Sequence, residues 1–462
     1  MELISRVAPF AASLLLASTA VMSTAVQAVE HDLNKMKKVL ESNADMGLAV
    51  YSDTLNTAKQ LRKAIAELRA QPNQANLMAA RKAWLVAREP YGQSEAFRFR
   101  LSPIDSSNYK DEDGLEGDIN AWPLGEALID YVVVGNDFGN DQLGVSAHQT
   151  PVNGGKAITV DSLQANIINT PSIEITPALI ANTATAEDEH DVLAGYHAIE
   201  FMLWGQDLNN SGSADTQGKR QQAVKTWQSI NATGGQRPLT DFISKQENDA
   251  ADRRLTFLEV VTDKLVADLQ TVVDGWKQGV QGNYRDKFTT VNSIDEAKQK
   301  FAEILTGIGT LAEGELAGER MQIALSADSQ EDEQSCFSDN THRDIWLDVQ
   351  GIVNIYYGDY RGYDANLDGK PDSGNSLKGY GIDDYLTDIG ERQLGKDVEA
   401  KLALIQNGAN KIDAMARQGT PVDVMIMDPG SDAAKPMRDT IVALNKQSAS
   451  IAKLAKAIDI QH

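Results

Sequence analysis

Apolar residues recur at steps of three and four through most of this chain, and that rhythm leaves room for little besides helix. Leu48, Tyr51, Leu55, Ala58, Leu61, Ile65 and Leu68 form one such stripe. Leu255, Leu258, Val261, Leu265, Leu269, Val272 and Trp276 form a second, and Ile345, Val349, Ile352 and Tyr356 a third. Val398, Leu402, Ile405, Ala409, Ile412 and Met415 give a fourth; Met437, Ile441, Leu444, Ser448, Ile451, Leu454 and Ile458 close the series. At 3.6 residues per turn each set lies on one face and needs another apolar face to cover it. No segment shows sustained two-residue alternation between hairpin turns, the mark of half-buried strands. The expected class is all-α: two tandem helical bundles, for which 462 residues are ample.

Breaks in the rhythm suggest the organisation. Asn231 through Gly235 and Pro238 interrupt it, so residues 29–235 are expected to form the first bundle and 236–462 the second. Residues 135–186 are rich in Gly, Asn, Thr and Pro and read as a long loop insertion, with a short helix around Ser162–Ile168. Residues 4–26 are apolar and small, and Val26-Gln27-Ala28 resembles a signal-peptidase site, so 1–28 read as a secretory signal cut after Ala28. A membrane anchor is the other reading of that segment, but its apolar core is short for a span of about 20 residues. No cysteine follows the cleavage site to carry a lipid, and no later stretch is long and apolar enough to span a bilayer. The expected setting is export to the periplasm, with outer-membrane association as a variant.

Asp and Glu total 66 against 43 Lys and Arg, a net charge of −23, which argues against a nucleic-acid partner because that needs a basic field. The lone Cys336 excludes an intrachain disulfide and any cysteine-rich metal site.

One helix stands apart. Residues 192–204 (V-L-A-G-Y-H-A-I-E-F-M-L-W) are apolar on every side except at His197 and Glu200. A helix apolar all round is buried all round. His197 and Glu200 are three apart, hence on one face, and a buried carboxylate needs a partner. Gly195 would let a neighbour approach closely, and Gly205 supplies a stop. Metal-binding bundles use this geometry in the order Glu-x-x-His. The plain alternative is a structural hydrogen-bonded pair. Neither metalloprotease pattern is complete: H-E-x-x-H would need Glu and His where Ala198 and Phe201 stand, and H-x-x-E-H would need His in place of Phe201. Two ligands also fall short of the three a catalytic zinc usually has.

The residues Gly195-x-His197-x-x-Glu200, with Phe201, Leu203, Trp204 and Gly205 after them, resemble the G-x-H-x-x-E signature of imelysin-like proteins. Three blocks agree in order: Trp84 through Ala96 (W-L-V-A-R-E-P-Y-G-Q-S-E-A), Asn120 through Leu124 (N-A-W-P-L) and Ser335 through His342 (S-C-F-S-D-N-T-H). The resemblance spans roughly residues 40–460. It implies an all-helical, two-domain exported protein tied to bacterial iron acquisition, in a family that also carries a metallopeptidase label. It also implies one site drawn from both bundles, at a cleft between them.

Within those blocks Glu95 and Arg98 share a helix face, with Pro90 expected to break or kink the helix before them; a surface salt bridge is the plain alternative. Trp122 stands at the entry to an expected helix over 124–134, with core packing as its alternative. Asp339 and His342 read as a loop pair ahead of a helix at 344, or as a cap neighbour and a satisfied surface group. Glu95, Arg98, Trp122, Asp339 and His342 are therefore the candidate ligand-binding residues around a metal held by His197 and Glu200. Outside the blocks, Asp364, Asn366, Asp368, Lys370 and Asp372 follow the D-x-N-x-D-G-x-x-D order of a calcium loop. Its twelfth position is Asn375 rather than a bidentate Glu, so an acidic surface turn is the alternative. The expected function is binding of iron, another divalent metal or a metal-bearing ligand, with an envelope iron-uptake partner. A metallopeptidase using His197 and Glu200, and an envelope adaptor with a purely structural motif, are the competing readings.

Overall fold

The computed structural model describes residues 29–460 apart from 109–112, 121, 123, 132–147, 153–155, 161–165, 182–191, 207–233, 236 and 328–331. The expected signal peptide lies outside the described residues, as do most of the expected domain boundary and part of the loop insertion.

Each stripe read from the sequence lies on a helix. The first occupies α1 (Leu33–Ala70), which opens where the Asp32 carboxylate accepts the N–H groups of Asn34 and Lys35. After a tight connection Asn73 caps α2 (Gln74–Ser94), which folds back along α1. The all-apolar helix is α3 (Gly195–Trp204). It starts later than Val192, because Ala194 is extended and the Val192 carbonyl accepts the Gly125 N–H. The fourth helix is α4 (Ala250–Trp276). Beyond it come α5 (Ile294–Thr310), a π-helical continuation over Leu311–Ile323, α6 (Thr341–Tyr357), α7 (Arg392–Arg417) and α8 (Lys435–Ala457).

The helices pack as two groups, α1–α4, called the first bundle, and α5–α8, called the second, with α4 burying its stripe against α1 and α3. Gly and Pro mark where a chain stops being helical, but which neighbour covers a stripe is a tertiary matter. Of the helix expected over 124–134, the described residues 124–131 are helical over Glu126–Ile129. Among the described residues two small antiparallel ribbons interrupt an otherwise all-α fold. His148–Val152 pair with Lys156–Val160 inside the insertion, and Asp359–Tyr360 pair with Leu377–Lys378 at the base of the candidate calcium loop. Among the described residues no helix is long and apolar enough to cross a membrane.

The bundles meet where α2 packs on α6. Gly92 permits this contact, since a side chain there would drive into Leu347.

Candidate functional site

All ten residues of α3 are buried, as an all-apolar helix requires. Gly195 has φ +81, and a Cβ there would lie 2.5 Å from the Ile119 carbonyl oxygen, so only glycine fits. Gly205, at φ +76, ends the helix and donates its N–H to Phe201 at 2.7 Å.

Between these stops, His197 Nδ1 lies 2.9 Å from Glu200 Oε2. The other carboxylate oxygen accepts the Ser338 N–H at 2.9 Å and the Ser338 hydroxyl at 2.7 Å. Glu200 therefore ties α3 of the first bundle to the turn that precedes α6 of the second. Half-buried Trp122 packs its ring against His197 at 4.9 Å and against Phe337 at 5.4 Å. His197 Nε2 is buried and has no hydrogen-bond partner among the described residues. Such an unmade bond costs about 1–3 kcal/mol, so its retention calls for a reason.

Burial dominates the titration of both groups. It pushes Glu200 up to about 8, against the pull of Ser338 and Arg88 and with help from Asp344. It drives His197 well below the usual imidazole value, and Arg88 and Arg320 push the same way. At neutral pH the pair is thus uncharged, with the proton on Glu200.

Around this pair runs a buried polar network. Arg88 donates to Asp344 Oδ1 from Nε at 3.1 Å and from Nη2 at 3.0 Å, and to Asn120 Oδ1 from Nη1. Its guanidinium also lies over the rings of Tyr91 and Tyr196 at 5.1 and 5.2 Å. Asn120 passes the chain to Glu95 Oε1 at 3.2 Å, and Glu95 Oε2 accepts from Arg98 at 2.6 Å and Arg320 at 3.1 Å. Arg320 also holds Asp348 at 3.2 Å. Its partner Glu315 stands five residues earlier, one turn of the wide π-helix. Despite the cost of burial, Arg320 and Arg98 pull Glu315 down to about 2. One residue along on both helices, Arg343 of α6 grips both oxygens of Glu89 on α2 at 2.8 Å. Arg88–Asp344 and Arg343–Glu89 thus cross between the bundles as two reciprocal ion pairs.

The structure corrects several local expectations. Pro90 neither breaks nor ends α2, which continues to Ser94 and then tightens into a single turn over Glu95–Phe97. Glu95 and Arg98 are buried members of the network rather than a surface bridge. His342 lies inside the first turn of α6, and its Nδ1 meets Asp413 Oδ1 at 2.9 Å. Asp339 is buried in a left-handed turn at φ +56. Ser338 is the residue by which that block reaches Glu200. Sequence reasoning missed Arg88, Asn120, Ser338, Arg320, Asp344 and Asp413. The first three stand inside the quoted blocks, one of them beside a chosen residue. Arg320, Asp344 and Asp413 carry no local signal, because only the packing of distant helices gives them partners.

The donor set can be judged against a resident metal. Among the described residues no group of three or more His, Cys, Asp or Glu side chains is placed to hold an ion. Both oxygens of Glu200 are already engaged, so His197 Nε2 is the open donor of the pair. The described donors thus fall short of the three protein ligands that a catalytic metal usually has.

The candidate calcium loop is likewise turned inward. Buried Asp364 accepts the N–H groups of Leu367 at 2.6 Å, Asp368 at 3.1 Å and Gly369. Asp368 accepts from Lys370 N at 3.0 Å, Asp372 from Ala365 N at 2.9 Å, and Arg417 clamps the Leu367 carbonyl at 3.0 Å. Asp364→Ala is expected to cost about 2 kcal/mol, since it strips the acceptor from three backbone donors. Thermal melts with and without calcium separate the two readings of the loop: equal losses mark a self-capped turn, and a loss confined to calcium-containing buffer marks an ion site.

The imelysin family model, which carries a peptidase-family designation, matches residues 47–458. Iron-regulated protein A of Synechococcus elongatus is 40% identical over 67 residues, which is 14% of this chain and 17% of that protein. Two crystal structures share the fold. An iron-regulated protein A precursor from Parabacteroides distasonis aligns with a TM-score of 0.57 at 16% identity, over 93% of this chain and 96% of its own. An imelysin-like protein from Psychrobacter arcticus aligns at 0.54 and 14%, over 94% and 98%.

Proposed function

This chain belongs to the imelysin family, and we propose that it serves iron acquisition by holding a metal-bearing ligand where α3 meets the turn before α6. The observation that carries this reading is His197 Nε2, a buried donor left open while its ring is oriented through Nδ1 by Glu200. Orientation of a ligating imidazole through its other nitrogen is the usual arrangement at metal sites. One open protein donor suits a metal that arrives with most of its coordination already filled by a chelator or macrocycle. The iron connection draws on the likeness to iron-regulated protein A, and export draws on the signal-like residues 1–28. The chain then acts in the periplasm as a binding component, delivering to an envelope uptake partner.

The peptidase reading, with His197 and Glu200 as ligands, needs a third protein ligand and a water, and among the described residues no group of three such side chains supplies it. Hydrolysis that follows the protein through purification and vanishes in Glu200→Gln would favour it.

The test is the double variant His197→Leu/Glu200→Met, studied by paired melts and titration with iron protoporphyrin and ferric nitrilotriacetate. Buried polar pairs replaced by apolar groups of similar size are often neutral or stabilising. The variant is expected to melt no lower than the parent, to lose binding and to fail to support iron-limited growth. A folded double variant with full binding and full growth would sink the assignment. Failure to fold would make the pair structural.

A further inference from the structure

The inward-turned loop has a second consequence. Gly369, Lys370 and Pro371 at its tip form one wall of a cleft of about 550 Å³, which lies within the usual size of a small-molecule site. The opposite wall is one face of α6, carrying Trp346, Gln350, Asn354 and Tyr357 one turn apart, with Gln93 of α2 and Gln406 of α7 beside them. Gln93 and Asn354 are buried at 3% and 4% exposure and hydrogen-bonded to each other, so this floor is fixed. Trp346 is fixed too, its ring under the Arg343 guanidinium at 4.3 Å and its Nε1 bonded to Asn410 at 2.8 Å.

The charges run against the rest of the molecule. Three cations line the cleft, Arg361, Lys370 and Lys378, against one acid, Asp359, which Arg361 already holds at 2.9 Å. Lys378 donates to the Tyr357 carbonyl at 2.6 Å, and of the nearby carboxylates Asp383 feels its charge without pairing with it. Among the described residues neither lysine forms an ion pair. On a chain of net charge −23 such a cleft is a local attraction for an anion. Asp364, Asp368 and Arg417 hold the loop backbone, and so hold Lys370 at the rim.

We propose that this cleft is an anion site, distinct from the His197 pair, which takes a small hydroxy-polycarboxylate, either free or as its ferric chelate. Lys370 and Lys378 meet the carboxylates. The side-chain amides serve both as donors to carboxylates and as acceptors from hydroxyls, and the Trp346 and Tyr357 rings cover the carbon skeleton. The D-x-N-x-D-G sequence then builds a rigid turn that presents a lysine.

Citrate and ferric citrate are the probes, titrated calorimetrically into the full mature chain. Both are expected to bind saturably, and both should weaken as salt rises from about 0.05 to 0.3 M, because the attraction is screened. Lys370→Glu/Lys378→Glu should weaken both by about tenfold or more, and both side chains are exposed enough for the variant to fold. A citrate-dependent change in tryptophan fluorescence should disappear in Trp346→Phe. Free citrate should bind the His197→Leu/Glu200→Met variant unchanged, which separates failure here from failure of the iron-site reading. Absence of saturable heat up to about 10 mM citrate, a Kd weaker than useful for recognition, would overturn the proposal. So would equal binding by the charge-reversed variant, or inorganic phosphate binding as tightly as citrate.

Discussion

Replacing Arg88 with Met is expected to cost about 3–5 kcal/mol, the range for breaking a buried ion pair from one side. Arg88 is fully buried, and its loss leaves Asp344, also fully buried, without its cation. It also removes the partner of Asn120, whose amide supports Glu95. Methionine fills much of the volume, so the cost reports charge and hydrogen bonding more than a cavity. The double variant Arg88→Met/Asp344→Leu should recover most of the loss, because both charges are then gone together. By contrast Lys63→Met, which breaks an exposed pair with Glu67, is expected to change stability by less than about 0.5 kcal/mol. Urea unfolding of the four chains measures all of this. A loss below about 1 kcal/mol for Arg88→Met would mean that water reaches Asp344 once the arginine is removed.

Ligand binding at His197 is expected to tighten about 100-fold between pH 6 and pH 9. While Glu200 carries its proton, that proton is shared with Nδ1, and the ring's own hydrogen sits on Nε2, where it blocks ligation. Once Glu200 ionises, it accepts from Nδ1–H and frees the Nε2 lone pair. Because burial raises Glu200 to about 8, the competent form is about 1% of molecules at pH 6, and apparent affinity scales with that fraction. His197 itself is held well below its ordinary value, so imidazolium does not compete over this range. Stability runs the other way. A carboxyl raised from 4.5 to about 8 contributes fully below its unfolded value, and that contribution is lost as pH rises through the folded value. The check is titration at pH 6, 7, 8 and 9 with an iron chelate whose own speciation is constant over that range, in parent and Glu200→Gln. A flat profile in the parent would show that Glu200 does not gate Nε2.

The site was legible in the sequence only in part, and the divide follows the range of the interaction. His197 and Glu200 could be paired from sequence because three residues on one helix fix their distance, and Gly195 could be read because a close approach excludes any Cβ. The placement of Glu95 and Arg98 on one face was also readable. Their burial was not, because it depends on Arg320 arriving from a π-helix more than two hundred positions away. Pro90 signals a break or a kink because its missing N–H is a local fact, whereas surrounding contacts decide whether a helix continues through it, as α2 does. The D-x-N-x-D-G order describes spacing along the chain, and that spacing serves an ion cage and a self-capped turn equally well.

The sequence by itself determined the helices, their buried faces and the isolation of one His–Glu pair on an otherwise apolar helix. These follow from rotation per residue and from the cost of exposing apolar surface. Only the tertiary structure decided that α4 packs against α1 and α3, that Ser338 reaches Glu200, and that Arg88 and Arg343 cross between bundles to Asp344 and Glu89. A helix can present a charged group to a neighbour, but the identity of that neighbour is settled when hundreds of side chains find the packing that leaves the fewest of them unpaired.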